Sequence, residues 1–149
     1  METCKLIFPL LDYGLITLLY QDEIGGLEVK GVNNTWTPAN PIKDAVLINA
    51  GDMLEMFTNG RLPATLHRVI IPEEEIKQKT TRQSIVFFVH PDHHTLISPL
   101  PNFLKQNVVI DKDIGKDRAA TKTKEFTNGY QQVTALEHVN RRFAATYQY

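Results

Sequence analysis

The run Leu15-Ile16-Thr17-Leu18-Leu19-Tyr20-Gln21-Asp22-Glu23-Ile24-Gly25-Gly26-Leu27-Glu28-Val29-Lys30 decides how this chain is read. Leu15 to Tyr20 is an apolar stretch of strand length, stopped by the polar Gln21-Asp22-Glu23 and by the flexible Gly25-Gly26 pair. Leu27 to Lys30 then resumes with period-two alternation, the spacing that gives a pleated strand one apolar and one polar face. Two strands around a glycine-bearing turn predict an antiparallel pair.

Outward from that run the same grammar continues. Leu6 to Leu11 reads as a short strand interrupted by Pro9, and it leads straight into Asp12 without the small-residue cleavage site of a signal peptide. Trp36 lies between Thr35 and Thr37 ahead of the breakers Pro38, Asn40 and Pro41. Ala45 to Asn49 is another apolar run, Met53 to Phe57 a short helical turn ending at Asn59-Gly60, and His67 to Ile71 and Arg82 to His90 two further strands. The charged stretch Pro72 to Thr81 between those two strands, with Glu73-Glu74-Glu75, reads as a solvated loop. Only the last third changes period. From Thr134 to Tyr147, Leu136, Val139, Phe143 and Tyr147 recur at helical spacing, with His138, Asn140 and Arg141 off that stripe, which predicts a helix packed on a β core. Many short strands with Gly and Pro punctuation predict a mainly β domain, a sandwich or barrel.

Composition narrows the function. With 149 residues, 42% of them hydrophobic, and a formal net charge of −1, the chain has the mass for one core and no basic footprint for nucleic acid or an anionic membrane. No stretch approaches the roughly 20 apolar residues of a membrane-spanning helix. A single cysteine, Cys4, excludes a disulfide framework and a cysteine-rich zinc site, and makes a reducing, cytoplasmic setting the expectation.

The residues that could carry chemistry are spread along the strands. Asp12 follows a strand-like run and precedes Tyr13-Gly14, where a carboxylate can turn inward. His67 opens a later strand, so the two can meet only through the fold. Arg82 and Ser84 share one face of a strand, so a guanidinium fork and a hydroxyl can address one carboxylate together. Arg68 is off that register. His90, His93 and His94, near Asp92, read as a surface turn after Pro91. Tyr130, Phe143, Tyr147 and Trp36 read as packing aromatics.

The words around these residues make the arrangement specific. Asp12-Tyr13-Gly14, Thr17-Leu18-Leu19, Gln21-Asp22, Gly25-Gly26-Leu27-Glu28-Val29, Trp36, Asn49-Ala50-Gly51-Asp52, Thr58-Asn59-Gly60-Arg61 and His67-Arg68-Val69 follow one another in order. Together they resemble the catalytic domain of the iron(II) and 2-oxoglutarate-dependent dioxygenases, in the isopenicillin N synthase-like superfamily. The resemblance runs from about Asp12 to Pro91, and Ala135 to Phe143 is similar to the C-terminal helix of those proteins. It implies a partial double-stranded β-helix, or jelly roll, with a C-terminal α-helix. Residues 1–11 would then be an atypical N-terminal strand, 12–100 the jelly-roll core, and 101–149 a linker and the C-terminal helix. It also implies iron ligation by Asp12 and His67, binding of 2-oxoglutarate by Arg82 and Ser84, and oxidation of a small organic substrate. Two imidazoles and one carboxylate on one face of iron leave room for a bidentate keto acid and dioxygen.

Two departures set a second expectation beside the first. In the family a histidine stands at the position of Leu10, a residue that cannot bind iron, and a long region precedes the His-x-Asp pair where this chain begins at Met1. The alternative is accordingly a truncated, catalytically inactive paralogue or isoform with only a binding or scaffold role. A jelly roll without its early strands would also self-associate through exposed strand edges.

Overall fold

A computed structural model describes residues 9–70, 81–104 and 133–146 of the chain. Its elements in order are β1 (Ile16–Gln21), β2 (Leu27–Lys30), β3 (Trp36–Pro38), β4 (Leu47–Ala50), α1 (Asp52–Phe57), β5 (His67–Val69), β6 (Ser84–Val89), β7 (Leu96–Ile97), α2 (Pro101–Leu104), β8 (Val133–Thr134) and α3 (Ala135–Thr146). The strands form two three-stranded antiparallel sheets, ordered β4-β1-β6 and β3-β2-β5, and a two-stranded ribbon of β7 and β8. This is a partial jelly roll closed by a helix. The expected loop over Pro72 to Thr81 falls almost wholly, the strand over Leu6 to Leu11 in part, outside the described residues, as do Cys4, Tyr130 and Tyr147.

The predicted pairing of the first two strands is wrong. β1 is the central strand of its sheet, with β4 on one edge and β6 on the other, so no edge is left for β2. The connection Asp22 to Gly26 carries the chain to the other sheet. Asp22 Oδ1 accepts the Ile24 N–H, Gly25 and Gly26 take φ of 76° and 85°, and the Gly26 carbonyl accepts the Ile70 N–H at the end of β5. Glycine is favoured where consecutive residues must sit at positive φ.

Alternation along β1 divides its sheet into two faces. Thr17 and Leu19 are buried and Gln21 is half-buried. Opposite them, on the same face, stand Asn49 and Leu47 on β4 and Phe88, Val86 and Ser84 on β6; the face is covered along β1 and β4 and exposed along β6, and it is called the inner face below. The outer face carries Leu18 with Tyr20, Ile48, Ile85 and Phe87, the last four exposed.

The densest packing lies elsewhere, between α1, the β7-β8 ribbon and the start of α3. Met53 and Ile97 are fully buried and pack with Met56, Val133 and Ala135, while Leu15, Phe57 and Val139 close the rim. The helix α3 begins with a reciprocal cap: Thr134 Oγ1 accepts the Glu137 N–H and Glu137 Oε2 accepts the Thr134 N–H. The bond from the Thr134 backbone N–H and, to a lesser degree, the Thr134 side chain hold the Glu137 carboxyl below the ordinary glutamate value.

The helix packs, as its period predicts, but with a different face. Val139 reaches the core, whereas Leu136 and Phe143 are half exposed. His138, expected off the packing stripe, is docked instead, together with Ala135, Val139 and Arg142 at helical spacing. The Asp52 carboxylate at the start of α1 pairs with the Arg142 guanidinium, Nε lying 3.0 Å away, and His138 Nε2 stands beside the same oxygen at 3.3 Å.

Candidate functional site

Asp12 sits where the chain crosses between the two sheets. Leu10 is bridged to His67 beside β5, its N–H donating to the His67 carbonyl at 2.8 Å and its carbonyl accepting the His67 N–H at 3.0 Å. Leu15 already belongs to the other sheet, its N–H bound to the Val89 carbonyl. Between them the turn holding Asp12 is fixed by the backbone at the start of α1. The Asp52 N–H donates to the Asp12 carbonyl at 2.7 Å, the Met53 N–H to the Gly14 carbonyl at 3.0 Å, and the Gly51 N–H to the Leu15 carbonyl at 2.8 Å. Glycine is required at both contact points. A Cβ on Gly51 would strike the Gly14 carbonyl, and one on Gly14 would come within 2.6 Å of the Val89 carbonyl.

The carboxylate itself is oriented from one side. Thr17 Oγ1 and Asn49 Nδ2 both donate to Asp12 Oδ2 at 2.7 Å, so Oδ1 is turned toward His67 Nε2, 3.8 Å away. His67 is oriented as well, because its Nδ1 lies 3.2 Å from the Thr65 carbonyl. A carbonyl can only accept, so Nδ1 donates to Thr65, and in the neutral imidazole the lone pair is then on Nε2, the nitrogen that faces Asp12. An anionic oxygen and an imidazole lone pair, each held by an outer hydrogen bond and facing one another in a half-buried corner, is a donor pair suited to a divalent cation. Among the described residues no group of three or more His, Cys, Asp or Glu side chains converges in this way.

Position 10 is placed beside this corner by the backbone. Leu10 and His67 exchange both N–H···O bonds, a pairing that puts their side chains on the same face about 5.5 Å apart at Cα. Position 10 therefore adjoins the same corner as His67, and a leucine stands there.

Arg82 and Ser84 lie at the other end of the inner face. Ser84 is directly opposite Gln21, four residues along β1 from Thr17, which is about 13 Å along the strand. Arg82 Nε donates to the Gly25 carbonyl at 2.8 Å and its Nη1 to Ser84 Oγ at 3.0 Å. Nη2 has no partner among the described residues, and Ser84 is exposed with its own O–H free to donate. Leu19 and Val86 lie on the same face between the two ends. Beside Leu19 and Gln21, a cavity of about 130 Å³ extends to Ile42, Ala45 and Leu47.

Arg68, left aside on register, points away from this face. Its guanidinium pairs with Glu28 Oε2 at 2.6 Å and stacks 4.2 Å from the Trp36 ring centroid, so Trp36 packs under a cation. His93 lends its backbone carbonyl to the Leu136 N–H, and the His90 ring lies near Gly14. The residues that sequence reading did not assign are Thr17, Asn49 and Thr65. The first two sit inside the ordered words quoted above, and only the strand register reveals that both address one oxygen of Asp12.

Two antiparallel sheets with a cross-sheet Asp–His pair at one end of the inner face are the architecture of a jelly-roll fold, and comparison with known proteins gives its family. The chain belongs to the 2OG-Fe(II) oxygenase superfamily, whose family profile matches residues 7–91. It is 37% identical over 142 residues to UPF0676 protein C1494.01 of Schizosaccharomyces pombe, covering 93% of this chain and 36% of that protein. It is 40% identical over 110 residues to the 2-oxoglutarate-dependent dioxygenase ecdK of Aspergillus rugulosus, covering 68% of this chain and 32% of that one. Among solved structures, a full-length Neurospora crassa protein in complex with alpha-KG superposes with a TM-score of 0.74 at 32% identity, covering 94% of this chain and 37% of that one. The chain thus spans about a third of the length of these relatives. No helix among the described residues is long and apolar enough to cross a membrane.

Proposed function

We propose that this chain carries the catalytic core of an iron(II) and 2-oxoglutarate-dependent dioxygenase acting on a small organic substrate. Asp12 and His67 would hold the metal, and Arg82 and Ser84 the far carboxylate of 2-oxoglutarate. When bound, the iron supplies the dioxygen activation that couples conversion of 2-oxoglutarate and O2 to succinate and CO2 with oxidation of the substrate. The single observation that carries the reading is the orientation of Asp12: Thr17 and Asn49 occupy one oxygen, which leaves the other facing the His67 lone pair.

Each protein group has a definable task. Asp12 offers one oxygen, and the Thr17 and Asn49 donors on the other stop the carboxylate rotating. The Thr65 carbonyl fixes His67 in the tautomer whose Nε2 is a donor. Arg82 uses Nε and Nη1 to hold itself against Gly25 and Ser84, and so presents Nη2 and the Ser84 O–H side by side to a carboxylate, a charge-assisted pair. Leu19 and Val86 line the path between the ends with apolar surface, which limits water around the chain of a bound diacid.

Leu10 sets the strength of the metal site. With one imidazole instead of two, the site depends on water or substrate to complete its coordination, and iron binding is weaker than in a Leu10→His variant. Anaerobic titration with Fe(II) and 2-oxoglutarate, read by the metal-to-ligand charge-transfer band and followed by succinate release on adding oxygen, tests the reading. The expected result is a weak band in the unaltered chain and a stronger one in Leu10→His. Absence of both the band and succinate in both proteins would overturn it.

A further inference from the structure

The helix α3 reaches the turn of Asp12 by two routes that meet in one side chain. Tyr13, the neighbour of Asp12, has its ring edge-on to Phe143 at 5.8 Å between centroids, its face 5.0 Å from the Arg142 guanidinium carbon, and its hydroxyl hydrogen-bonded to Thr146 Oγ1. Asp52, whose N–H donates to the Asp12 carbonyl, has its carboxylate paired with Arg142 Nε and His138 Nε2. Arg142 thus grips both a residue adjoining Asp12 and the residue that hydrogen-bonds its backbone. A helix needed only for the core would dock through Ala135 and Val139; this one also commits the Phe143 ring, the Thr146 hydroxyl and the side chains of His138 and Arg142 to the turn and to Asp52 beside it.

We propose that α3 is the positioning element of Asp12, with Arg142 as its principal contact, and that metal affinity depends on its docking. The inference rests on the reading of Asp12 as a metal ligand. The residue following Asp12 is held by α3 directly, and the Asp12 carbonyl is held by Asp52, whose carboxylate α3 pairs, so releasing the helix removes the outer support of the turn and leaves only its backbone bonds to α1 and the Thr17 and Asn49 donors. None of these α3 residues would touch metal or substrate, which makes them positioning residues rather than catalytic ones.

The test is Co(II) titration, read by its visible absorption, on the whole chain and on its Arg142→Ala, Arg142→Lys, Tyr13→Leu and Val139→Ala variants. Thermal unfolding and amide hydrogen exchange at Asp52 and Met53 are measured on the same set. Arg142→Ala and Tyr13→Leu are expected to raise the Co(II) Kd about tenfold, the loss typical of an outer support of a metal ligand, and to speed exchange at Asp52. Arg142→Lys, which keeps a cation over the Tyr13 ring, recovers part of the affinity. Val139→Ala removes core packing without touching the turn, so it lowers the melting temperature and leaves the Kd unchanged. Unchanged Co(II) affinity in Arg142→Ala, or a loss in Val139→Ala that tracks stability alone, overturns the proposal while leaving the ligand assignment standing. Absence of Co(II) binding in both the unaltered chain and Leu10→His overturns the ligand assignment, and the positioning role falls with it.

Discussion

The two ends of the inner face are built differently. Around Asp12 the chain supplies two side-chain donors, three backbone hydrogen bonds at the start of α1 and two glycines that let backbone touch backbone. Around Arg82 and Ser84 it supplies one backbone carbonyl, one side-chain bond and an exposed strand. The first end is fixed by its own bonds; the second leaves the exposed Ser84 hydroxyl beside the Arg82 guanidinium, open to an anion. Rigid support suits a metal ligand, whose geometry must be set within tenths of an ångström, whereas a carboxylate clamp tolerates a looser frame.

The sharpest way to break the contrast is at the first end. Gly51→Ala places a Cβ against the Gly14 carbonyl and pushes apart the turn and α1, with an expected loss of about 3 kcal/mol in urea unfolding. An equal loss from a substitution at Ser84 would erase the difference between the ends. The second end should respond in binding instead. Arg82→Ala is expected to weaken 2-oxoglutarate by about 30-fold, roughly 2 kcal/mol, and Ser84→Ala by about 1 kcal/mol, both measured by isothermal titration with metal present. Their effect on folding should stay within about 0.5 kcal/mol.

The smallest effect is expected at the cap of α3. The Glu137 carboxyl is held below its ordinary value of 4.5 by the Thr134 backbone and side-chain bonds. A depressed folded value means that the stabilisation is complete above the ordinary value and is lost as pH falls through the folded one. Helical circular dichroism should therefore decline slightly more on acidification below 4.5 in the unaltered chain than in Glu137→Gln, which cannot titrate. Identical acid profiles would remove the cap from the account.

Much of this was legible in the residues, and the gaps have physical reasons. Period-two alternation finds β1 and β2, but alternation says nothing about partners: that β1 is central, with β4 and β6 on its edges, depends on residues far along the chain. The apolar stripe finds α3 and misjudges its docked face, because the placing of Arg142 and His138 beside Asp52 is a tertiary fact. The Thr134-Ala135-Leu136-Glu137 cap is a purely local pattern, equally legible but unassigned until the structure shows its bonds. At the site, Asp12 and His67 are named from their neighbours in sequence and the structure brings them together, while Thr17, Asn49 and Thr65 need the register between strands. Leu10 is marked by resemblance alone; the bridge to His67 shows what that position adjoins.

The account turns on a cation lying between Asp12 and His67. A crystal structure grown with Mn(II) and 2-oxoglutarate, with the metal located by its anomalous signal, tests this most directly. The predicted result is a single peak bound to Asp12 Oδ1 and His67 Nε2, with the far carboxylate of the keto acid on Arg82 and Ser84. A peak elsewhere, such as beside Asp52 and His138, or none at this corner in crystals of both the unaltered chain and Leu10→His, would contradict it.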